Sequence, residues 1–133
     1  KTIAMVGVSK DDKKPSTIVM KYMQKYGFKV IPVNPSAKGQ KILGEEVFGK
    51  LEDIKTSIDI VDVFRPSTEA TKYAEESVKI GAKVLWLQLG IKSLEAKELV
   101  ENNNIEYIEN RCTKMEYQKL FLNINPAFPV LQS

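Results

Sequence analysis

The residues of this chain best suited to bind a phosphorylated ligand lie near its start. An apolar run ends at Gly7, and a helix is predicted to begin at Ser16. The loop between them carries Ser9 and a set of lysines: Lys10, Lys13 and Lys14. A glycine turn lets backbone approach a ligand, and the first amides of a helix attract phosphate together with lysine ammonium groups. The stretch therefore predicts a phosphate-binding turn.

Residues for acid-base or metal chemistry are few. The chain has no histidine and one cysteine, Cys112. Histidine is the commonest proton shuttle near neutral pH and the commonest metal ligand, so a histidine triad is excluded and a metal centre is not expected. The acid pairs Asp59 with Asp62 and Glu75 with Glu76 are interpreted as strand-end and helix-face charges. We predict no catalytic residue and no metal ligand.

Length and composition fit one domain over residues 1–133. Hydrophobic residues make up 43% and charged residues 28% of the chain, which is typical of a globular fold. The net charge is only +3, and lysines alternate with acids, so no nucleic-acid partner is expected. No apolar run approaches the roughly 18 residues of a membrane span. We expect a cytoplasmic protein with no membrane contact, and a start at Lys1 that lacks a few residues rather than a cleaved targeting signal.

Strands and helices are predicted to alternate. The strands cover residues 1–8, 28–33, 57–64, 83–89 and 105–108, and the helices residues 16–26, 67–80, 93–100 and 113–121. An extended excursion over 42–48, a helical turn over 51–54 and a proline-bearing tail complete the prediction. Ser67 or Thr68 is expected to cap the second helix and Ser93 the third. Continuous apolar strands alternating with helices predict an α/β, Rossmann-like three-layer fold, with a mostly parallel sheet and helices on both faces.

The topology itself predicts where a ligand binds. In open parallel sheets, ligands bind beyond the carboxyl ends of the strands, where the strand order reverses. Four strand ends meet there, and their residues are Gly7, Val8, Ser9; Val33, Asn34, Pro35; Val63, Phe64, Arg65, Pro66; and Leu87, Gln88, Leu89, Gly90.

The residue types narrow the ligand. A dinucleotide fingerprint needs three glycines and an acid that grips the ribose, and this chain keeps only Gly7 and places Asn34 at the acid position. A neutral amide followed by Lys38 and Lys41 leaves room for a phosphate, which disfavours NAD. The loop also lacks the glycine–lysine–serine order of a P-loop. Coenzyme A and NADP both remain.

The strand-end motifs together resemble those of the small stand-alone CoA-binding proteins, which are similar to the N-terminal domain of the succinyl-CoA synthetase α subunit. The resemblance covers nearly the whole chain. Its motifs are Ala4-Met5-Val6-Gly7-Val8-Ser9, Val33-Asn34-Pro35, Val61-Asp62-Val63-Phe64-Arg65-Pro66, Trp86-Leu87-Gln88-Leu89-Gly90 and Arg111-Cys112. Leu89 stands where the synthetase has a glutamate, and Asn110 where the small proteins usually have an aspartate.

The resemblance implies a coenzyme A site with a phosphate end, a nucleotide side and a pantetheine wall. The residues implied are Gly7, Val8, Ser9 and Lys10 at the phosphates; Asn34, Pro35 and Lys38 on the nucleotide side; Phe64, Arg65 and Pro66 at the adenine or ribose; and Leu87, Gln88, Leu89 and Gly90 along pantetheine. From the lysine loop and the strand end, we also expect Lys14 and Val33 to contribute to the site. The synthetase uses a phosphorylated histidine in a following domain, which this chain lacks. We therefore expect binding of CoA or acyl-CoA rather than a complete CoA ligase.

Other interpretations stay open. The chain could bind NADP instead. Cys112 could be a small buried hydrophobe or a thiol that exchanges disulfides with CoA, which would make a redox regulator. The chain could also pair with itself or serve as a regulatory subunit of an unknown protein partner.

Overall fold

A computed structural model describes residues 1–122. In chain order its elements are β1 (Thr2–Val6), α1 (Pro15–Lys25), β2 (Lys29–Val33), β3 (Lys41–Ile42), β4 (Glu45–Glu46), β5 (Ile60–Val63), α2 (Ala70–Ile80), β6 (Val84–Leu87), α3 (Leu94–Glu101), β7 (Glu106–Ile108) and α4 (Thr113–Tyr117). A π-helical turn, Gln118–Leu122, continues α4, and short 3₁₀ turns cover Pro35–Ala37, Leu51–Asp53 and Ser67–Glu69. The predicted proline-bearing tail lies outside the described residues.

Five strands form one parallel sheet in the order β2-β1-β5-β6-β7. The chain runs outward from β1 to β2, then returns to the other side of β1 and continues through β5, β6 and β7. The reversal of strand order therefore lies between β1 and β5. The predicted α/β, Rossmann-like fold is confirmed.

The strands are continuously apolar because both faces of the sheet are covered. Ile3 and Met5 of β1 pack with Met20 of α1 and with Cys112 before α4, whereas Ala4 and Val6 point into the core beneath α2 and α3. Adjacent residues of one strand thus serve two cores, as the period of two in a strand requires. The predicted placement of helices on both faces is confirmed.

The expected cap of the second helix by Ser67 or Thr68 is wrong. Ser67 lies in a 3₁₀ turn before α2, which has no side-chain cap, and the Ser67 hydroxyl instead accepts from the Lys92 amide at 3.0 Å. The prediction of a local cap failed because the Ser67 hydroxyl bonds with Lys92, which is 25 residues away in the sequence. Ser93 does cap α3, where its hydroxyl accepts from the Ala96 amide at 3.1 Å.

The predicted extended excursion after β2 is a small antiparallel hairpin, β3–β4. Its tight turn uses Leu43 at φ 49° and Gly44 at φ 82°. Just beyond it, the Phe48 amide donates to the Pro32 carbonyl at 3.0 Å, and Asn34 donates its amide to the Phe48 carbonyl at 2.9 Å. The chain after the hairpin therefore lies against the free edge of β2.

Candidate ligand-binding site

The four predicted strand ends are adjacent in the structure. Backbone hydrogen bonds continue past the strands: Gly7 donates to Val33 at 2.8 Å, Phe64 to Val6 at 2.9 Å, and Gln88 to Val63 at 3.2 Å. This carboxyl edge includes the reversal between β1 and β5, where open α/β sheets bind ligands.

Position 7 requires glycine for two reasons: its backbone conformation and the close approach of neighbouring atoms. Its φ is +88°, in the left-handed region that favours glycine. A Cβ atom there would lie 2.9 Å from Cδ of Arg65 and 3.1 Å from the Phe64 carbonyl oxygen. The turn after β1 therefore passes directly against the end of β5, which keeps the two strand ends close.

The loop after Gly7 is shaped by its own side chains. The Ser9 amide donates to the Ser16 hydroxyl at 3.1 Å, and the Thr17 hydroxyl donates to the Ser9 carbonyl at 2.7 Å. The backbone amide of Asp11 donates to the Ser9 hydroxyl at 3.0 Å. The carboxylate of Asp11 in turn accepts from the Lys13 amide at 3.0 Å. These bonds hold the loop against the first turn of α1.

The start of α1 carries no negative charge of its own. Lys14 occupies the N-cap position without a side-chain cap, Pro15 begins the helix, and the first turn contains no acid. Lys10, Lys13 and Lys14 are all exposed around it. The positive end of the helix dipole and three exposed lysines near it favour an anion, and the exposed Asp11 and Asp12 of the same loop offset part of that positive charge.

Asn34 uses both ends of its amide within the protein. Its Nδ2 donates to the Val8 carbonyl at 2.9 Å, and its Oδ1 accepts from the Ser36 amide at 3.0 Å and the Ser36 hydroxyl at 2.7 Å. The side chain therefore joins the loop after β1 to the turn after β2. Pro35 and Lys38 are exposed beside it.

Arg65 is exposed at the end of β5 and pairs with an acid one helical turn away. Its Nε and Nη2 donate to the two carboxylate oxygens of Glu69 at 3.1 and 2.7 Å. The pairing lowers the pKa of the Glu69 carboxyl through these hydrogen bonds. Pro66 is exposed next to it, and Phe64 is half-buried.

Gln88 is buried and belongs to a network that the sequence did not reveal. Its Nε2 donates to Oδ1 of Asp62 at 2.5 Å and to the Thr113 hydroxyl at 3.1 Å. The Thr113 hydroxyl donates to the other Asp62 oxygen at 3.0 Å. Burial raises the pKa of Asp62 to about 7, although both hydrogen bonds act in the opposite direction.

The interpretation of Asp62 as a strand-end surface charge is wrong, because the side chain is fully buried. A signal was available in the sequence. A single acid inside the apolar strand Ile60–Val63 must be buried if both faces of the sheet are covered. Its partner Thr113 follows 51 residues later, and no local pattern could identify it.

The segment that leads to Thr113 is bound to the end of β6. The Trp86 indole donates to the Arg111 carbonyl at 2.7 Å, and the Arg111 amide donates to the Leu87 carbonyl at 3.3 Å. Asn110, at φ 56°, accepts the Gly90 amide on its side-chain oxygen at 2.7 Å. Leu89 and Gly90 remain exposed at this end of the edge.

Three predicted site residues, Val8, Val33 and Leu87, have side chains buried in the core. Only the backbone of these residues is available to a ligand at the edge. Cys112 is likewise buried, with 2% of its surface exposed, and burial raises the pKa of its thiol. A buried thiol with a raised pKa is a poor nucleophile, so this environment does not favour disulfide exchange.

Two further properties concern residues 1–122 only. Nowhere in this part of the chain do three or more acids or cysteines lie close enough to hold a metal ion. None of its helices is long and apolar enough to span a membrane.

The parallel sheet and the reversal of strand order at its carboxyl edge define a Rossmann-like α/β domain. A family model described as a CoA binding domain matches residues 1–118, and the chain belongs to this family. It is 36% identical to the uncharacterized protein YneT of Bacillus subtilis over 88% of this chain and 85% of the relative.

A second relative is much longer. The chain is 27% identical to an ADP-forming acetate–CoA ligase of Methanocaldococcus jannaschii over 96% of this chain but only 19% of the ligase. Among solved structures, cell-free ID.343 from Thermus thermophilus superposes with a TM-score of 0.88 at 36% identity, covering 91% of this chain and 90% of that protein.

Proposed function

We propose that the chain binds coenzyme A or an acyl-CoA at the carboxyl edge of its sheet. The observation that carries the proposal is the match of the CoA binding domain model over residues 1–118. The uncapped start of α1 supports it, because this positive helix end lies beside Lys10, Lys13 and Lys14 without an acid in its first turn.

The ligand would lie along the edge from β2 to β6. Its pyrophosphate meets the loop from Gly7 to Lys10 and the start of α1, with Lys14 beside it. The additional ribose phosphate of coenzyme A meets Lys38 near the end of β2. Pantetheine runs towards Leu89 and Gly90, where Leu89, 40% exposed, offers apolar contact.

We propose binding rather than ligation as the activity of this chain. The archaeal relative is named as an acetate–CoA ligase, but the chain spans 19% of its length. The rest of that ligase has no counterpart in the matched region, so its reaction is not carried over.

Isothermal titration calorimetry against CoA, dephospho-CoA, NADP, NAD and ATP tests the proposal. We expect CoA to bind, dephospho-CoA to bind more weakly because it lacks the ribose phosphate, and NAD not to bind. Binding of NADP without binding of CoA would contradict the proposal.

A charge-matched pair of variants tests the location. Replacing Lys10 and Lys14 by glutamine removes two cations at the loop, whereas replacing Lys21 and Lys25 removes two from the body of α1. We expect the first variant to weaken CoA binding on the order of tenfold or more and the second by much less. Equal weakening would show general electrostatic attraction instead of a site at the loop.

A further inference from the structure

A buried polar network lies beneath the carboxyl edge. It consists of Asp62, Gln88 and Thr113, each less than a tenth exposed. Both oxygens of Asp62 accept hydrogen bonds from the neutral side chains of the other two residues. A buried carboxylate with neutral partners is costly to the fold, so its position calls for a structural or functional reason.

The network is continuous with the segment that borders the proposed pantetheine wall. Thr113 directly follows residues 110–112, and these are bound to the loop after β6. Asn110 accepts the Gly90 amide at 2.7 Å and donates its own amide to the Ile91 carbonyl at 3.2 Å. We name this arrangement, residues 110–113 bound to residues 87–91, the clamp.

We propose that Asp62 is a positioning residue for the ligand: by holding Gln88 and Thr113, it fixes the clamp and the loop that binds pantetheine. The inference rests on the proposed function, because it assigns a role at that same site. Asp62 itself is buried beneath the edge and acts through Gln88 and Thr113.

The charge state of Asp62 then sets the geometry of the clamp. As a carboxylate, Asp62 accepts from both partners. As a carboxylic acid it carries a proton of its own, and a proton on the oxygen that faces Thr113 would reverse that bond. With a pKa of about 7, this change occurs in the neutral range. Because the carboxylate form holds both partners, we expect affinity to fall as pH falls.

The ionisable groups around Asp62 are few. Its register neighbours in β1 and β6, Met5 and Trp86, carry no charge. The buried residues of α1, which packs on this face of the sheet, are also uncharged: Ser16, Thr17, Val19, Met20 and Met23. Around α4 lie the Cys112 thiol, whose pKa burial raises, and the Lys114 ammonium, whose pKa burial lowers.

Calorimetry of CoA binding in two buffers with different ionisation enthalpies, from pH 6 to pH 8, tests the inference. Near pH 7 the wild type should release more protons on binding than Asp62→Asn, by up to about half a proton, because Asp62 is only about half protonated there. From pH 8 to pH 6, the CoA affinity of the wild type should fall more than that of Asp62→Asn, by an additional factor on the order of three to ten. The ribose phosphate of CoA also titrates near pH 6, but equally in both proteins.

The control is Asp59→Asn, which removes an acid that directly precedes the same strand, at the end away from the carboxyl edge. Asp59 accepts from the Thr2 amide and pairs with Lys83, so this variant should keep the wild-type proton release. Should Asp62→Asn fail to fold, Thr113→Val should weaken CoA binding and Thr113→Ser should restore it.

The outcomes separate the two proposals. CoA binding with the same proton release in wild type and Asp62→Asn would overturn the role of Asp62 and leave the proposed function intact. A wild type that binds no CoA at any pH would overturn both. The coupling of Asp62 to the clamp can also be measured without ligand. The NMR chemical shift of the Gly90 amide should titrate near pH 7 in the wild type but not in Asp62→Asn. Absence of this titration in the wild type would overturn the coupling.

Discussion

The two ends of the carboxyl edge hold their residues in different ways. At the β1 end, the loop from Gly7 to Lys14 is closed by hydrogen bonds between residues two to eight positions apart, and its lysines are exposed. At the β6 end, the clamp and its buried network join residues 19 to 51 positions apart.

Because of this difference, the charged residues proposed to bind the ligand are not the residues that stabilise the fold. Loop lysines can be changed without opening the core, because they face solvent. A change in the buried network alters packing between two strands and α4, because its three side chains are almost completely buried. Substitutions of the loop lysines at the β1 end should therefore act mainly on affinity, and substitutions at the β6 end on both affinity and stability.

The largest expected effect is the pH dependence of stability in Asp62→Asn. The folded-state pKa of Asp62, about 7, lies above its unfolded value, 3.8. The folded state therefore binds more protons between these values, and wild-type stability falls as pH rises from about 4 to 7. Asp62→Asn should lack this fall, which amounts to on the order of 4 kcal/mol at most.

Urea denaturation at pH 4.5, 6 and 8 measures this effect. The stability of Asp62→Asn relative to the wild type should rise steadily across the series. A constant difference would mean that Asp62 keeps the same protonation state in the folded and unfolded chains over this range, and would weaken the contrast between the two ends of the edge.

The next effect compares two glycines with left-handed backbones. Gly7→Ala meets both strain and contact with Arg65 and Phe64, whereas Gly27 at φ +90° has nothing within 4 Å of an added Cβ. We expect Gly7→Ala to cost about 2–3 kcal/mol and Gly27→Ala about 1 kcal/mol. Thermal denaturation measures both, and only Gly7→Ala should reduce CoA affinity. Equal losses of stability would mean that Arg65 and Phe64 move to accommodate the added Cβ at no measurable cost.

A smaller effect is expected at Cys112, which packs in the core beside α1. Cys112→Ser should cost about 1 kcal/mol, because it buries a hydroxyl in place of a thiol. CoA affinity should change less than about twofold. Mass spectrometry of protein purified without reductant should show no CoA adduct on Cys112, and an adduct would favour the redox interpretation.

The smallest effect is expected at the Arg65–Glu69 pair, which lies between the two ends. Glu69→Gln leaves a partly exposed arginine without its carboxylate and should cost less than about 1 kcal/mol in urea denaturation. If Arg65 contacts the ligand, its released guanidinium should bind CoA more tightly. Lower affinity would show that Glu69 is needed to orient Arg65.

The same contrast explains how much of the site the sequence could predict. Gly7, the lysine loop and the strand ends were predictable, because glycine turns, apolar runs and helix starts are local patterns. Asn34 permitted both a turn and a ligand contact, and the structure gives its amide partners in the turn. Asp62 was misassigned, although its position in an apolar strand covered on both faces indicated burial. Its partner Thr113 lies 51 residues later, so no local pattern could identify the network.

The segment after the β3–β4 hairpin has a consequence for association between molecules. A parallel sheet leaves unpaired backbone groups on its outermost strands, and such edges can add a strand from another chain. Phe48 already bonds with the carbonyl of Pro32 and the amide of Asn34 on the outer side of β2, and Pro32 itself has no amide to offer. At the opposite edge, β7 is three residues long and begins with an exposed glutamate, Glu106. Both edges of the sheet are thus unfavourable templates for intermolecular strand pairing. The segment after the β3–β4 hairpin, which contains Phe48, protects one of these edges.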